Sequence, residues 1–162
     1  MKNKMKITFF YLSITVSVLL YLSCKSSRGN GVSQSGSFVN KKWEMKSLSV
    51  APAIDWDLDG KKDTDIFALM EGCEKDDILL LKDDKIIVRN AGKVMCDEDE
   101  AQENRTGIWS YDGANKKLVL KEDQVAQELT IVESSANKLV VTYKWNATNG
   151  TLHKMTLVYF TR

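Results

Sequence analysis

Leu139-Val140-Val141-Thr142-Tyr143-Lys144-Trp145-Asn146 is the stretch on which the fold turns. Its odd positions are apolar and its later even positions polar. A period of two is the mark of a strand with one face against a core. Leu139, Val141, Tyr143 and Trp145 are therefore expected on the buried face. Asn149-Gly150 follows as a tight turn, because glycine accepts the positive φ that such turns require. The next run, Leu152 to Phe160, repeats the alternation with Met155, Leu157 and Tyr159 on one face. The two runs form a hairpin.

Working outward, the same signals recur. Lys42 to Leu48 sets Trp43 and Met45 against Glu44 and Lys46. Asp77 to Leu81 and Lys85 to Arg89 flank the turn at Asp83-Asp84. Ile108 to Tyr111 and Lys117 to Leu120 flank Asp112-Gly113-Ala114-Asn115, and Ala126 to Glu133 leads through Ser134-Ser135-Ala136-Asn137 into the opening stretch. Asp65 to Gly72 reads as one short helix or a turn. Pro52, the sole proline, falls in a loop by this reading. The fold class is all-β, about eight short antiparallel strands with turn-rich connections. A sandwich or a closed up-and-down barrel both satisfy that pattern.

The N-terminus carries different information. Lys2, Lys4 and Lys6 precede a mostly apolar run from Ile7 to Leu22 that Thr8, Ser13, Thr15 and Ser17 interrupt. A membrane-spanning helix needs roughly 20 strongly apolar residues, so a cleaved secretory signal fits better. Leu22-Ser23-Cys24 resembles the lipobox of bacterial lipoproteins, which implies a lipidated Cys24. An ordinary cleaved signal with a chance cysteine, or an uncleaved anchor, are the alternatives. The division expected is residues 1–23 as signal peptide, 24–37 as lipidated cysteine and Gly/Ser-rich tether, and 38–162 as the barrel domain. The expected site is the outer membrane, lipid-anchored and facing the periplasm. Loss of Lys2, Lys4 and Lys6 takes three charges from a net +1 and leaves −2. A domain so nearly neutral, with no basic stripe, has no electrostatic reason to seek nucleic acid.

Cys73 and Cys96 remain after Cys24. An even pair outside the cytoplasm suggests a disulfide, with two unpaired thiols as the alternative.

The stretch from Asp55 through Asp57, Asp59-Gly60, Asp63 and Asp65 to Phe67 has a specific look, as do Cys73-Glu74-Lys75-Asp76-Asp77, Asn90 to Cys96, and Gly107-Ile108-Trp109. In that order they resemble the lipocalin-like lipoproteins of the bacterial envelope. The likeness covers most of the chain after the tether. Lys41-Lys42-Trp43 departs from it, lacking the usual glycine two residues before the tryptophan. The resemblance implies a small antiparallel barrel and little about ligand or activity.

Three groups of residues are candidates for chemistry. Asp55, Asp57 and Asp59 alternate before Gly60, with Asp63 and Asp65 beyond. Calcium takes six to eight oxygens from carboxylates, carbonyls and water. The first half of the loop matches an EF-hand, but Ile66 stands where that loop needs a bidentate glutamate. A shorter site would be completed by Asp63 or Asp65 with the Lys61 carbonyl. A solvated acidic turn is the plainer reading. Asp97-Glu98-Asp99-Glu100 with Glu103 reads as a solvated run. Trp43, Trp109, Tyr143, Trp145 and Tyr159 fall on inward faces. They either line a ligand cavity or fill the core, since an eight-stranded barrel interior does one or the other.

His153, the single histidine, is expected at the surface, with no second histidine or nucleophile motif beside it. No enzyme is expected. The leading function is binding of a small hydrophobic or amphipathic ligand, with calcium as a possible stabiliser. The alternative is a filled barrel that docks another envelope protein.

Overall fold

The computed structural model describes residues 36–162. The signal peptide, Cys24 and most of the tether fall outside the described residues. Nine strands and two single-turn helices run in the order β1 (Lys42–Ile54), β2 (Asp63–Asp65), α1 (Ile66–Leu69), α2 (Gly72–Lys75), β3 (Ile78–Leu81), β4 (Ile86–Asn90), β5 (Glu103–Asp112), β6 (Lys117–Glu122), β7 (Val125–Ser134), β8 (Lys138–Asn146) and β9 (Leu152–Thr161). β1 and β3 to β9 pair in sequence, every pair antiparallel, and β9 returns to β1. The result is a closed eight-stranded up-and-down barrel with β2 as an extra strand.

The barrel closes through a long register, from Trp43↔Thr161 to Ala51↔Lys154. β1 carries β3 on its other edge only over Lys42 to Glu44. Farther on, that edge passes to β2 through Ser49↔Asp65 and Ile54↔Asp63. β1 is thus longer than its alternation suggested. Pro52 lies within β1 rather than in a loop, because the strand persists past the point where its hydrophobic pattern ends.

The inward faces fill one end of the barrel. Phe38, Trp43, Leu81, Ile87, Leu118 and Leu139 are fully or almost fully buried there. Phe38 plugs the floor edge-on to Trp109 and Tyr111, at centroid distances of 5.8 and 5.1 Å. Buried indole N–H groups need acceptors. Trp43 Nε1 donates to the Phe38 carbonyl at 2.7 Å, and Trp109 Nε1 to the Lys82 carbonyl at 2.9 Å. Gly107 is required by close approach, since a Cβ there would lie 2.1 Å from the Lys121 carbonyl oxygen on β6. All of this packing comes from residues 38–161, so the barrel closes and fills its own floor.

Cys73 on α2 and Cys96 in the β4–β5 connection form a disulfide, with Cα atoms 5.3 Å apart. It joins the segment before β3 to the loop after β4, across a sequence separation of 23 residues. Closing such a loop restricts the unfolded chain. Replacing both cysteines by alanine should lower stability by roughly 3 kcal/mol, about 10 °C in Tm, in a calorimetric melt. A reducing agent should produce the same shift in the native chain and none in the variant.

Candidate functional site

The five aromatic residues expected to line the interior separate into two groups. Trp43, Trp109 and Tyr159 are buried in the floor cluster. Tyr143 and Trp145 stand toward the other end, packed on a smaller cluster of Val50, Ile66 and Met155.

What distinguishes that end is a parting of the wall. β7 and β8 pair from Thr130↔Thr142 to Ser134↔Leu139, with an irregularity between Ile131 and Glu133. Beyond Thr130 the two strands go separate ways. Val125 to Leu129 pair only with β6, and Tyr143 to Asn146 only with β9. A cleft of about 710 Å³ occupies the gap, lined by Val125, Gln127, Tyr143, Trp145 and His153 among others. Its size falls within the usual range for a ligand site, roughly 300 to 1,000 Å³. Val125 and Leu152 expose apolar surface at its rim.

His153 is buried, at 3% exposure, where a surface position was expected. Its Nδ1 donates to the Pro52 carbonyl at 2.8 Å, which requires the proton on that nitrogen. The alternation of β9 turns His153 inward with Met155, so strand period outweighs its place beside a turn. Its ring lies 5.5 Å from Trp145, which lies 5.8 Å from Trp56 of the acidic loop. A second cleft, of about 630 Å³, runs between that loop and the β8–β9 turn. Trp145 and His153 line both clefts.

Above the floor the interior turns polar. Arg89 follows Ile87 on the inward face of β4, and Glu122 follows Leu120 on the inward face of β6. Arg89 Nε donates to Glu122 Oε1 at 3.1 Å and Nη2 to Oε2 at 2.7 Å, a bidentate pair. Thr106 Oγ1 also donates to Glu122 Oε1. The Arg89 hydrogen bonds hold the Glu122 pKa below its ordinary value, and the pair is ionised. Burial pushes Tyr159 up to about 12 and also raises Tyr143, so both phenols keep their protons. Burial raises Asp77 as well, helped by the nearby Glu100 and Asp76. Period two could have found this layer, because Arg89 and Glu122 stand where the pattern calls for apolar residues.

The acidic loop folds as a chain of short turns. Oxygens of Asp55, Asp57 and Asp63 lie within 4.8 Å of one another and could hold a metal ion. Asp55 Oδ2 accepts from Gly60 N, while Asp55 Oδ1 is buried without a partner. Asp63 Oδ2 accepts from Trp56 N. Asp59 and Asp65 are not in the triplet. Asp59 accepts from the backbone and side chain of Lys61, whose ammonium hydrogen bond, the larger effect, lowers its pKa. Asp65 caps α1 through Ala68 N. Gly60 at φ 90° supplies the turn that brings Asp63 back to Asp55.

Among curated proteins, none matches the chain. Three solved structures are similar in outline. They are bovine odorant binding protein in complex with a selenium-containing odorant (10% identity, TM-score 0.41, 74% of this chain and 70% of that one), the odorant binding protein OBP1 (13%, 0.40, 78% and 73%), and bovine odorant binding protein with undecanal (9%, 0.38, 75% and 69%). Residues 39–141 match the model of the lipocalin-like domain, and this chain belongs to that family.

Proposed function

We propose that the protein is a non-catalytic binding module of the bacterial envelope, which takes a small hydrophobic or amphipathic ligand through the parting between β7 and β8. The parting itself carries the reading. Lipocalin-like barrels generally bind small hydrophobic ligands, and this barrel's packed floor leaves its space at the other end. Gln127, Tyr143 and Trp145 give the cleft the mixture of apolar surface and few polar groups that ligand sites use. A fluorescent amphiphile, 1-anilinonaphthalene-8-sulfonate, should bind the mature chain carrying Cys24→Ser. Gln127→Trp, which fills the cleft, should weaken that binding by about tenfold with the melt unchanged. Equal binding by the two proteins would remove the cleft from consideration.

The filled floor favours a second reading, a structural module that docks another envelope protein and holds no small ligand. Absence of any amphiphile binding by the native chain would select it.

The leader and Cys24 support anchoring of the domain to the outer membrane, on the periplasmic side, by acyl chains. Each buried CH₂ contributes about 0.8 kcal/mol, so several chains hold a small domain firmly. The intact mass of protein from its native host should exceed the polypeptide mass by the acyl groups, and Cys24→Ser should abolish the increment. A bare polypeptide mass in the native protein would reject the anchor.

Calcium at Asp55, Asp57 and Asp63 is the third element of the proposal. The unpartnered Asp55 Oδ1 supports it, since an orphaned buried carboxylate oxygen costs free energy that a cation relieves. Bound to the folded state alone, calcium should raise Tm by a few degrees, and Asp57→Ala or Asp63→Ala should erase the rise. No shift in millimolar calcium would rule it out.

A further inference from the structure

We infer that the Arg89–Glu122 pair is the polar subsite of the barrel, and that it selects a neutral, hydrogen-bonding head group over a carboxylate. This rests on the reading that a ligand enters between β7 and β8.

The pair sits beside that entrance. Glu122 is register partner to Val125, which lines the cleft, and Leu120 to Gln127. Directly opposed residues have Cβ atoms about 5 Å apart, so the inward Glu122 lies next to the cleft wall. Both side chains point inward by alternation, yet they keep 43% and 28% of their surface exposed. The pair is thus an inward group that solvent still reaches. Leu79 is register partner to Arg89, and Leu120 precedes Glu122 on the same inward face, so the pair stands at the upper edge of the apolar floor.

The donor and acceptor count sets the chemistry. A guanidinium has five N–H donors, of which Glu122 takes two. Among the described residues, both N–H groups on Nη1 are left to a ligand. Glu122, with one oxygen shared by Arg89 and Thr106, keeps acceptor capacity on Oε2. Side by side, the pair offers donors and an acceptor while carrying no net charge.

A carboxylate brought to it meets attraction from Arg89 and repulsion from Glu122 at similar range, and it loses its hydration. Those terms leave little net gain. Asp77, close enough to Arg89 for their charges to interact, adds to the repulsion whenever it is ionised. Tyr143 and Tyr159, whose phenols burial keeps protonated, add no charge. A hydroxyl or amide head accepts from Nη1 and donates to Oε2 at a much lower desolvation cost. The ligand class is therefore an acyl chain ending in a glycerol-like or amide head, and not a free fatty acid.

Two amphiphiles of equal chain length separate the cases: monolauroylglycerol and laurate. Displacement of bound 1-anilinonaphthalene-8-sulfonate from the mature chain with Cys24→Ser measures both. The native pair should prefer monolauroylglycerol by about tenfold. Glu122→Gln leaves the Arg89 charge unbalanced, and the ratio of the two affinities should move at least about tenfold toward laurate. Arg89→Leu with Glu122→Leu keeps the site neutral but removes its donors, so the preference should vanish while probe binding persists. This double variant serves if Glu122→Gln folds poorly. A native protein that binds laurate as well as or better than monolauroylglycerol would overturn the subsite, as would an unmoved ratio in the variants. Failure of both amphiphiles and the probe to bind the native chain would overturn the binding module itself, and with it this inference.

Discussion

Everything in this molecule depends on the pairing of β1 with β9. Eight strands in an open sheet would leave two edges of unpaired backbone, each a template for aggregation. The register from Trp43↔Thr161 to Ala51↔Lys154 removes both edges at once. It also turns one face of every strand inward, and that is what lets about 125 residues enclose a core. Trp43 stands at the seam, paired with Leu79 on one side and Thr161 on the other, with its indole N–H tied to the Phe38 carbonyl. The plug, the seam and the floor are one packed unit.

The same closure explains why the other end is open. β1 outlasts its pairing with β3 and hands its edge to β2, while β7 leaves β8 beyond Thr130. β7 keeps β6 as it leaves β8, and β8 keeps β9, so the wall parts without either strand becoming wholly free. The loop between β1 and β2 then has to turn within a few residues. Asp55, Asp57, Asp59 and Asp63 do this by accepting backbone N–H groups. An acidic loop that looks like a metal motif is, in its local structure, first a set of side-chain turns. Only three of its carboxylates are brought close enough for a cation.

Where a residue's surroundings repeat with period two, its place was legible from the sequence. The hairpins at Asp83-Asp84 and Asp112 to Asn115, the strand from Leu139, and the Cys73–Cys96 bridge all follow from local pattern or from chemistry. The strand placement of Pro52 and the partner of His153 did not. Both depend on β1 continuing beyond its own hydrophobic pattern, held by β9, and the Pro52 carbonyl that receives His153 is 101 residues away in sequence. No local signal reports such a partner. The parting between β7 and β8 is invisible for the same reason, because nothing in Val125-Ala126-Gln127-Glu128-Leu129 marks the loss of a neighbour. Arg89 and Glu122 are the instructive case. Each breaks the apolar pattern on its own strand, and each break looked like a strand end. Only the sheet order, which sets β4 and β6 on either side of β5, makes the two breaks one ion pair.

That pair also bears on how far a barrel can fill its own interior. An all-apolar interior of this size would pack to the top, because each further buried side chain adds about 25 cal/mol per Å² of apolar surface removed from water. An ionic layer stops that process, since the Arg89–Glu122 pair resists desolvation and stays partly exposed. The floor beneath supplies the stability that closes the barrel. The polar layer then marks where the floor ends, next to the stretch of wall where β7 and β8 part.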